Sequence, residues 1–161
     1  MKLAVGSDER TTLTDAVVEK LHEQGHETVL FGPLANQSTS WPGVARDVAE
    51  AVVRGDADEG VLFCWTGTGV SIVANKIPAV RAALCDDAET ARGARLWNDA
   101  NVLCLSLRRL SQAMALEILD VWFSTTYTPN PEDDACIADV NAIEATYAAA
   151  SRPGNIGEDE G

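Results

Sequence analysis

Positive charge is scarce in this chain. Twelve Lys and Arg stand against 25 Asp and Glu, giving a net charge of −13 at pH 7. That balance excludes a nucleic-acid or anionic-membrane binder of the usual kind, because both need basic patches that release counterions. It says little about a small-molecule site, where local groups decide, and it suits solubility or a salty habitat. Long apolar runs are missing as well, none approaching the roughly 18 residues of a membrane span. Met1-Lys2-Leu3 leads straight into a strand pattern, without the basic start and apolar stretch of a signal peptide. A cytoplasmic protein is expected.

Histidine is limited to His22 and His26, and the four cysteines, Cys64, Cys85, Cys104 and Cys136, form no CxxC pair. None has zinc-ligand spacing to a histidine, so a metal centre is not expected. Without secretion signals a disulfide framework is not expected either. Cys85, Cys104 and Cys136 read as buried, reduced thiols. Nucleotide fingerprints are also absent. No P-loop occurs, and Gly67-Thr68-Gly69 is followed by Ile72 where a dinucleotide motif needs its third glycine.

What is present is enough apolar content, 46%, for the core of one globular domain over residues 1–150. Strand-like runs at 2–8, 27–32, 59–64, 80–85 and 101–106 alternate with helical patterns at 13–25, 43–55, 87–98 and 110–125. A further helix starts near Gly69, and a polar loop contains Trp41-Pro42. A Pro-containing turn leads to a last helix around 135–149, and 151–161 reads as a loose polar tail. Five strands separated by helices demand right-handed crossovers, hence a doubly wound α/β domain with one parallel sheet. Ligands of such folds bind at the carboxyl ends of the strands. That directs attention to Ser7-Asp8-Glu9, Cys64 to Gly69, Asp86-Asp87 and Ser106 to Arg108.

The stretch FCWTGTGVSIVANK, residues 63–76, carries the strongest chemical signal. Its glycines let the backbone approach a ligand closely, and the following helix aims N–H groups at the loop. An oxyanion is stabilised in such a place. A thiol beside a helix N-terminus ionises more readily than a free one, so Cys64 could attack a carbonyl or remove a proton from the carbon next to one. It could equally be a core cysteine that ends a strand. Nucleophilic catalysis wants a histidine, and both histidines fall in or just after the first helix. Proton abstraction needs no such partner.

The order AVGSD, then VLFCWTGTGVSIVANKIPAVRAALCDDAETAR, then NDANVLCL resembles the RpiB/LacA/LacB family of sugar-phosphate isomerases, from Lys2 to about Tyr147. The resemblance implies a Rossmann-like three-layer α/β/α sandwich with a C-terminal dimerisation helix. It also implies cofactor-free, metal-free aldose–ketose isomerisation of a sugar phosphate through a cis-enediolate. The protein would be a homodimer or a dimer of dimers, each site shared between two chains. Cys64 then matches the proton-shuttling base and Thr66 a threonine that assists ring opening. Gly67, Thr68, Gly69, Val70 and Ser71 match the loop that holds the enediolate oxygens. Asp8 matches an acidic residue on the sugar hydroxyls, Asn98 the asparagine of the family's HND segment, and Trp41 a tyrosine that walls the sugar.

Departures cluster at ring opening and phosphate grip. Glu9 and Trp97 stand where the family has histidines, Trp65 replaces a glycine, and the C-terminal arginine segment is the acidic NPEDDACIADV. Arg108, at the family's GGR position, could still serve the site. Such ends resemble the LacB chain of galactose-6-phosphate isomerase, which takes arginines from a different chain. They also resemble isomerases of four-carbon ketose phosphates, which need no ring opening. A sugar-binding protein without catalysis, or a subunit needing another partner chain, is the alternative reading.

Overall fold

The computed structural model describes residues 1–150, with side chains through Ala148, and the tail read at 151–161 lies outside them. The chain divides into a large unit, Met1–Thr128, and a second that starts at Pro129. In the large unit β1 (Lys2–Ser7), α1 (Thr12–Glu23), β2 (Glu27–Phe31), α2 (Trp41–Val53), β3 (Glu59–Cys64) and α3 (Thr68–Ala74) come first. They are followed by β4 (Ala82–Leu84), α4 (Ala88–Asn98), β5 (Val102–Ser106) and α5 (Gln112–Ser124). The second unit contains α6 (Pro131–Ala150). Among the described residues no helix is long and apolar enough to cross a membrane.

All five strands are parallel, in the order β2-β1-β3-β5-β4. Alternation along the strands builds two cores, because successive side chains point to opposite faces. Leu3, Val5, Val61, Phe63, Leu103 and Leu105 pack with the apolar faces of α1, α4 and α5. Ala4, Leu62, Cys64, Val102 and Cys104 pack with α2 and α3. Both sheet faces are covered, which is why the strands read as nearly unbroken apolar runs. On the α2 face small residues let the helix sit close: a Cβ at Gly6 would lie 2.7 Å from methyls of Val44 and Val48.

The expected α/β/α sandwich is therefore the observed one, with local corrections. Trp41-Pro42 does not lie in a loop. It opens α2, where Ser40 caps the Gly43 amide and proline, lacking an N–H, suits a first turn. The fourth strand pairs only over Ala82–Leu84, since Asn101 takes the Arg81 amide onto its side chain instead. The last helix starts at Pro131, not near 135. Asn130 accepts from the Asp133 amide, and the acidic run Glu132-Asp133-Asp134 forms its first turn, where negative charge suits the helix dipole. Cys136, on that helix, is exposed rather than buried.

At the amino end of β3 a buried carboxylate ties three elements together. Glu59 meets Arg95 at 2.8 Å and accepts the Trp122 indole N–H at 2.7 Å. Arg95 also donates to the carbonyls of Thr125 and Ala100 and lies 5.1 Å from the Trp122 ring.

Candidate active site

The chain leaves β1 toward β2 on one side and reaches β3 on the other, so the sheet's switch point falls between β1 and β3. Ser7 pairs with Phe63, which places Asp8 and Cys64 side by side just beyond that register, at the carboxyl end. Cys64 ends β3 and is 5% exposed, its side chain in the α2–α3 core. The chain then turns sharply. Gly67 adopts φ 74° and donates its amide to the Cys64 carbonyl at 3.2 Å, while Ser71 closes the first turn of α3 on the Gly67 carbonyl. The amides of Thr68, Gly69 and Val70 are left without a protein acceptor among the described residues. Of the loop amides expected to face an oxyanion, those of Gly67 and Ser71 are therefore already used.

Gly67 has no substitute. A Cβ there would run into the Leu84 side chain and lie 3.1 Å from the Leu105 carbonyl carbon, at a φ that L-residues avoid. Gly67→Ala is expected to cost about 1–3 kcal/mol of stability and to lose turnover with it. A variant melting and working like the parent would show the turn to be tolerant.

The walls follow from packing. The Trp41 ring lies on the Gly69 backbone, where a Cβ would be 3.0 Å from it, so the first turn of α2 covers the first turn of α3. The Thr66 and Thr68 hydroxyls bond each other at 2.7 Å. The Trp65 carbonyl accepts from the Ser106 hydroxyl at 3.0 Å and the Arg108 amide at 2.9 Å, and the indole stands out, 57% exposed. That pins the loop after β5 beside the loop after β3 and carries Arg108 to the same end of the sheet. Arg109 is committed to Asp86 at 2.7 Å, whereas the Arg108 side chain has no ion pair among the described residues. Burial holds the Cys104 thiol well above its usual range, with Ser71 opposing only weakly. Burial, with Asp87 and Asp86 adding, pushes Cys85 up to about 12. Both behave as the inert core thiols expected.

Asp8 is the electrostatic oddity. Its Oδ1 is buried with no hydrogen-bond partner. Burial raises the carboxyl above its ordinary 3.8, its own amide opposing and Glu9 adding to the rise. Ser7, itself buried, shapes the loop by donating to the Glu9 carbonyl at 2.6 Å and accepting the Glu9 amide. Ser7 and Ser106, singled out in the sequence by position alone, act here by shaping the loops after β1 and β3. A polar residue closing an otherwise apolar strand was the available signal.

Two expected members are elsewhere. Trp97 and Asn98 end α4, at the amino end of the sheet, where the Asn98 carbonyl receives Arg81. Arg81 and Asn101 sit level with Gly60 at the start of β3, and four strand residues of about 3.3 Å each separate that level from Cys64. One chain does not bring Asn98 to Cys64.

The frame so defined is a doubly wound α/β protein with a thiol, a carboxyl and three amides lacking a protein acceptor among the described residues, all at its switch point. The family model described as Ribose/Galactose Isomerase matches residues 3–139. Ribose-5-phosphate isomerase B of Escherichia coli is 37% identical over 127 residues, 78% of this chain and 85% of that protein. The galactose-6-phosphate isomerase subunit LacB of Clostridium acetobutylicum is 34% identical, over 79% of this chain and 73% of that one. A solved ribose-5-phosphate isomerase B of Clostridium thermocellum superposes with a TM-score of 0.86 at 36% identity, covering 91% of this chain and 99% of its own. The chain belongs to the Ribose/Galactose Isomerase family and is an aldose–ketose isomerase.

Proposed function

We propose that this enzyme interconverts an aldose phosphate and its ketose by moving one proton with Cys64. The sulfur takes a proton from C1 of the open-chain ketose. The C–H electrons form the C1=C2 bond of a cis-enediolate, and the oxygen that gains charge faces the amides of Thr68, Gly69 and Val70. Returning the proton to C2, with the hydroxyl proton passing from one oxygen to the other, gives the aldose. No electron leaves the substrate, so no redox partner is required. Thr66 assists at the oxygens and Ser71 supports the loop. Asp8 and Glu9 bind sugar hydroxyls, Trp41 and Trp65 wall the sugar, and Arg108, without an ion pair among the described residues, meets the phosphate. Trp97 and Asn98 come from a second copy, in a homodimer whose sites are shared. The exposed Val140, Ile143 and Tyr147, spaced along one side of α6, are apolar surface of the kind a second chain covers.

The observation that carries this reading is the pairing of Cys64 with three unpaired amides at the end of one strand. A coupled assay on ribulose 5-phosphate, tagatose 6-phosphate and erythrulose 4-phosphate tests it. Turnover of one of them is the expected result. A folded protein inert on all three by itself, and active only with another chain added, would overturn the homodimeric part.

The raised Asp8 carboxyl has a consequence for stability. A group whose folded value lies above its ordinary one stabilises fully below that ordinary value, and the contribution disappears as pH rises through the folded value. Ionised Asp8 therefore costs stability near neutrality. Asp8→Asn is expected to melt above the parent at about pH 7–8, the gap closing toward about pH 4, while turnover falls. A variant that melts below the parent at pH 8 would contradict it.

A further inference from the structure

We propose that Arg81 is a positioning residue which acts on the active site of a second copy, by fixing the α4 corner that presents Trp97 and Asn98; this rests on the shared site proposed above. The corner is built for presentation. Asp99 leaves the helix at φ 44°, a left-handed conformation that aspartate tolerates better than most residues. The last carbonyls of a helix lack intrahelical donors. Here one Arg81 N–H is shared between the Asn98 and Asp99 carbonyls at 2.9 Å each, and a second meets the Asp99 carboxylate at 2.7 Å. A cation at that end also opposes the helix dipole.

Arg81 is itself anchored. Its amide donates to Asn101 Oδ1 at 2.8 Å, and its carbonyl receives the Asn101 amide at 3.1 Å. Above the corner the Trp97 ring is seated on Gly93, where a Cβ would lie 2.6 Å from it, yet the ring remains 61% exposed. Asn98 is exposed as well. The structure thus spends a planar, forked cation on holding an exposed Trp-Asn pair still, at the end of the sheet remote from its own Cys64. A fork of this shape fixes a carbonyl pair and a carboxylate together, which a lysine cannot do.

Arg81→Ala is expected to lower kcat/KM about 10- to 100-fold, mainly through KM, and Asn98→Ala is expected to do the same. The double variant should be no worse than Asn98→Ala alone, because both act through one contact. Arg81→Lys should restore only part of the loss. Co-expression with Cys64→Ala then separates action in trans from a local role. A hybrid dimer of Cys64→Ala and Arg81→Ala chains keeps one intact site, so the mixture should regain about a quarter of parental activity. If hybrids regain nothing, or the double variant loses the product of the single losses, Arg81 supports only its own chain and the proposal falls. If Asn98→Ala has parental kinetics, the shared-site reading fails first and Arg81 with it. Should Arg81→Ala not fold, Asp99→Asn, which breaks the ion pair and tolerates the left-handed turn, is expected to raise KM and complement Cys64→Ala in the same way. Parental KM in that variant would count against the clamp.

Discussion

Cys64→Ala is expected to leave a folded protein with turnover reduced by at least about 10³-fold, the scale of a positioned base. The fold survives because Cys64 ends its strand: the loop beyond is closed by the Gly67 amide, the Leu107 amide and the Ser106 hydroxyl, all on backbone carbonyls. The thiol's own packing, in the α2–α3 core, is worth about 1 kcal/mol. Stability and activity should therefore separate. Cys104→Ala and Cys85→Ala provide the contrast, since neither thiol ends a strand at the switch point and both are held protonated by burial. They should cost stability and spare the chemistry. An active Cys64→Ala would assign the proton transfer to another group.

Glu59→Ala should be among the most damaging single changes to the fold. Burial raises the Glu59 carboxyl above its ordinary 4.5 although Arg95 and the Trp122 N–H pull it down. Desolvation thus outweighs the attraction, and the pair is not a net source of stability. Removing one partner is another matter, because it strands Arg95, 12% exposed, and the Trp122 indole in the interior. Breaking a buried pair in this way costs about 3–5 kcal/mol. For a domain of this length that is a fall in melting temperature of roughly 10–15 °C. Replacing both members, Glu59→Leu with Arg95→Met, should recover most of the loss, since well-packed apolar residues often match a buried pair. A Glu59→Ala protein within about 1 kcal/mol of the parent would show that Arg95 finds water or another acceptor.

The architecture was legible because both sheet faces are buried. Runs such as EGVLFC, bounded by turn residues and spaced by helical patterns, leave little choice but a covered parallel sheet. The ends were less legible. Trp41-Pro42 looks like a break, yet proline just after Ser40 is a start signal, and placing it in a loop overlooked that cap. Cys136 was misjudged because thiols are usually buried, whereas its helix begins with three acids and carries exposed residues along most of its length.

The site was legible in its chemistry and not in its wiring. Cys64 and Asp8 lie side by side as residues at the ends of adjacent strands must, and Thr68 to Val70 follow as the first turn of the helix after β3. That the Gly67 amide turns back on the Cys64 carbonyl depends on a φ of 74°, which the letters G-T-G do not specify. The separation of Asn98 from Cys64 could have been derived from connectivity. A helix that follows one parallel strand and precedes the next must end at the sheet's amino edge.

The most direct test is solvent exchange followed by NMR in deuterated water, with ribulose 5-phosphate, tagatose 6-phosphate and erythrulose 4-phosphate, using parent and Cys64→Ala protein side by side. Deuterium appearing at C1 of one ketose with the parent, and not with the variant, is the expected result. Exchange or isomerisation that persists at the parental rate in Cys64→Ala would contradict proton transfer by Cys64.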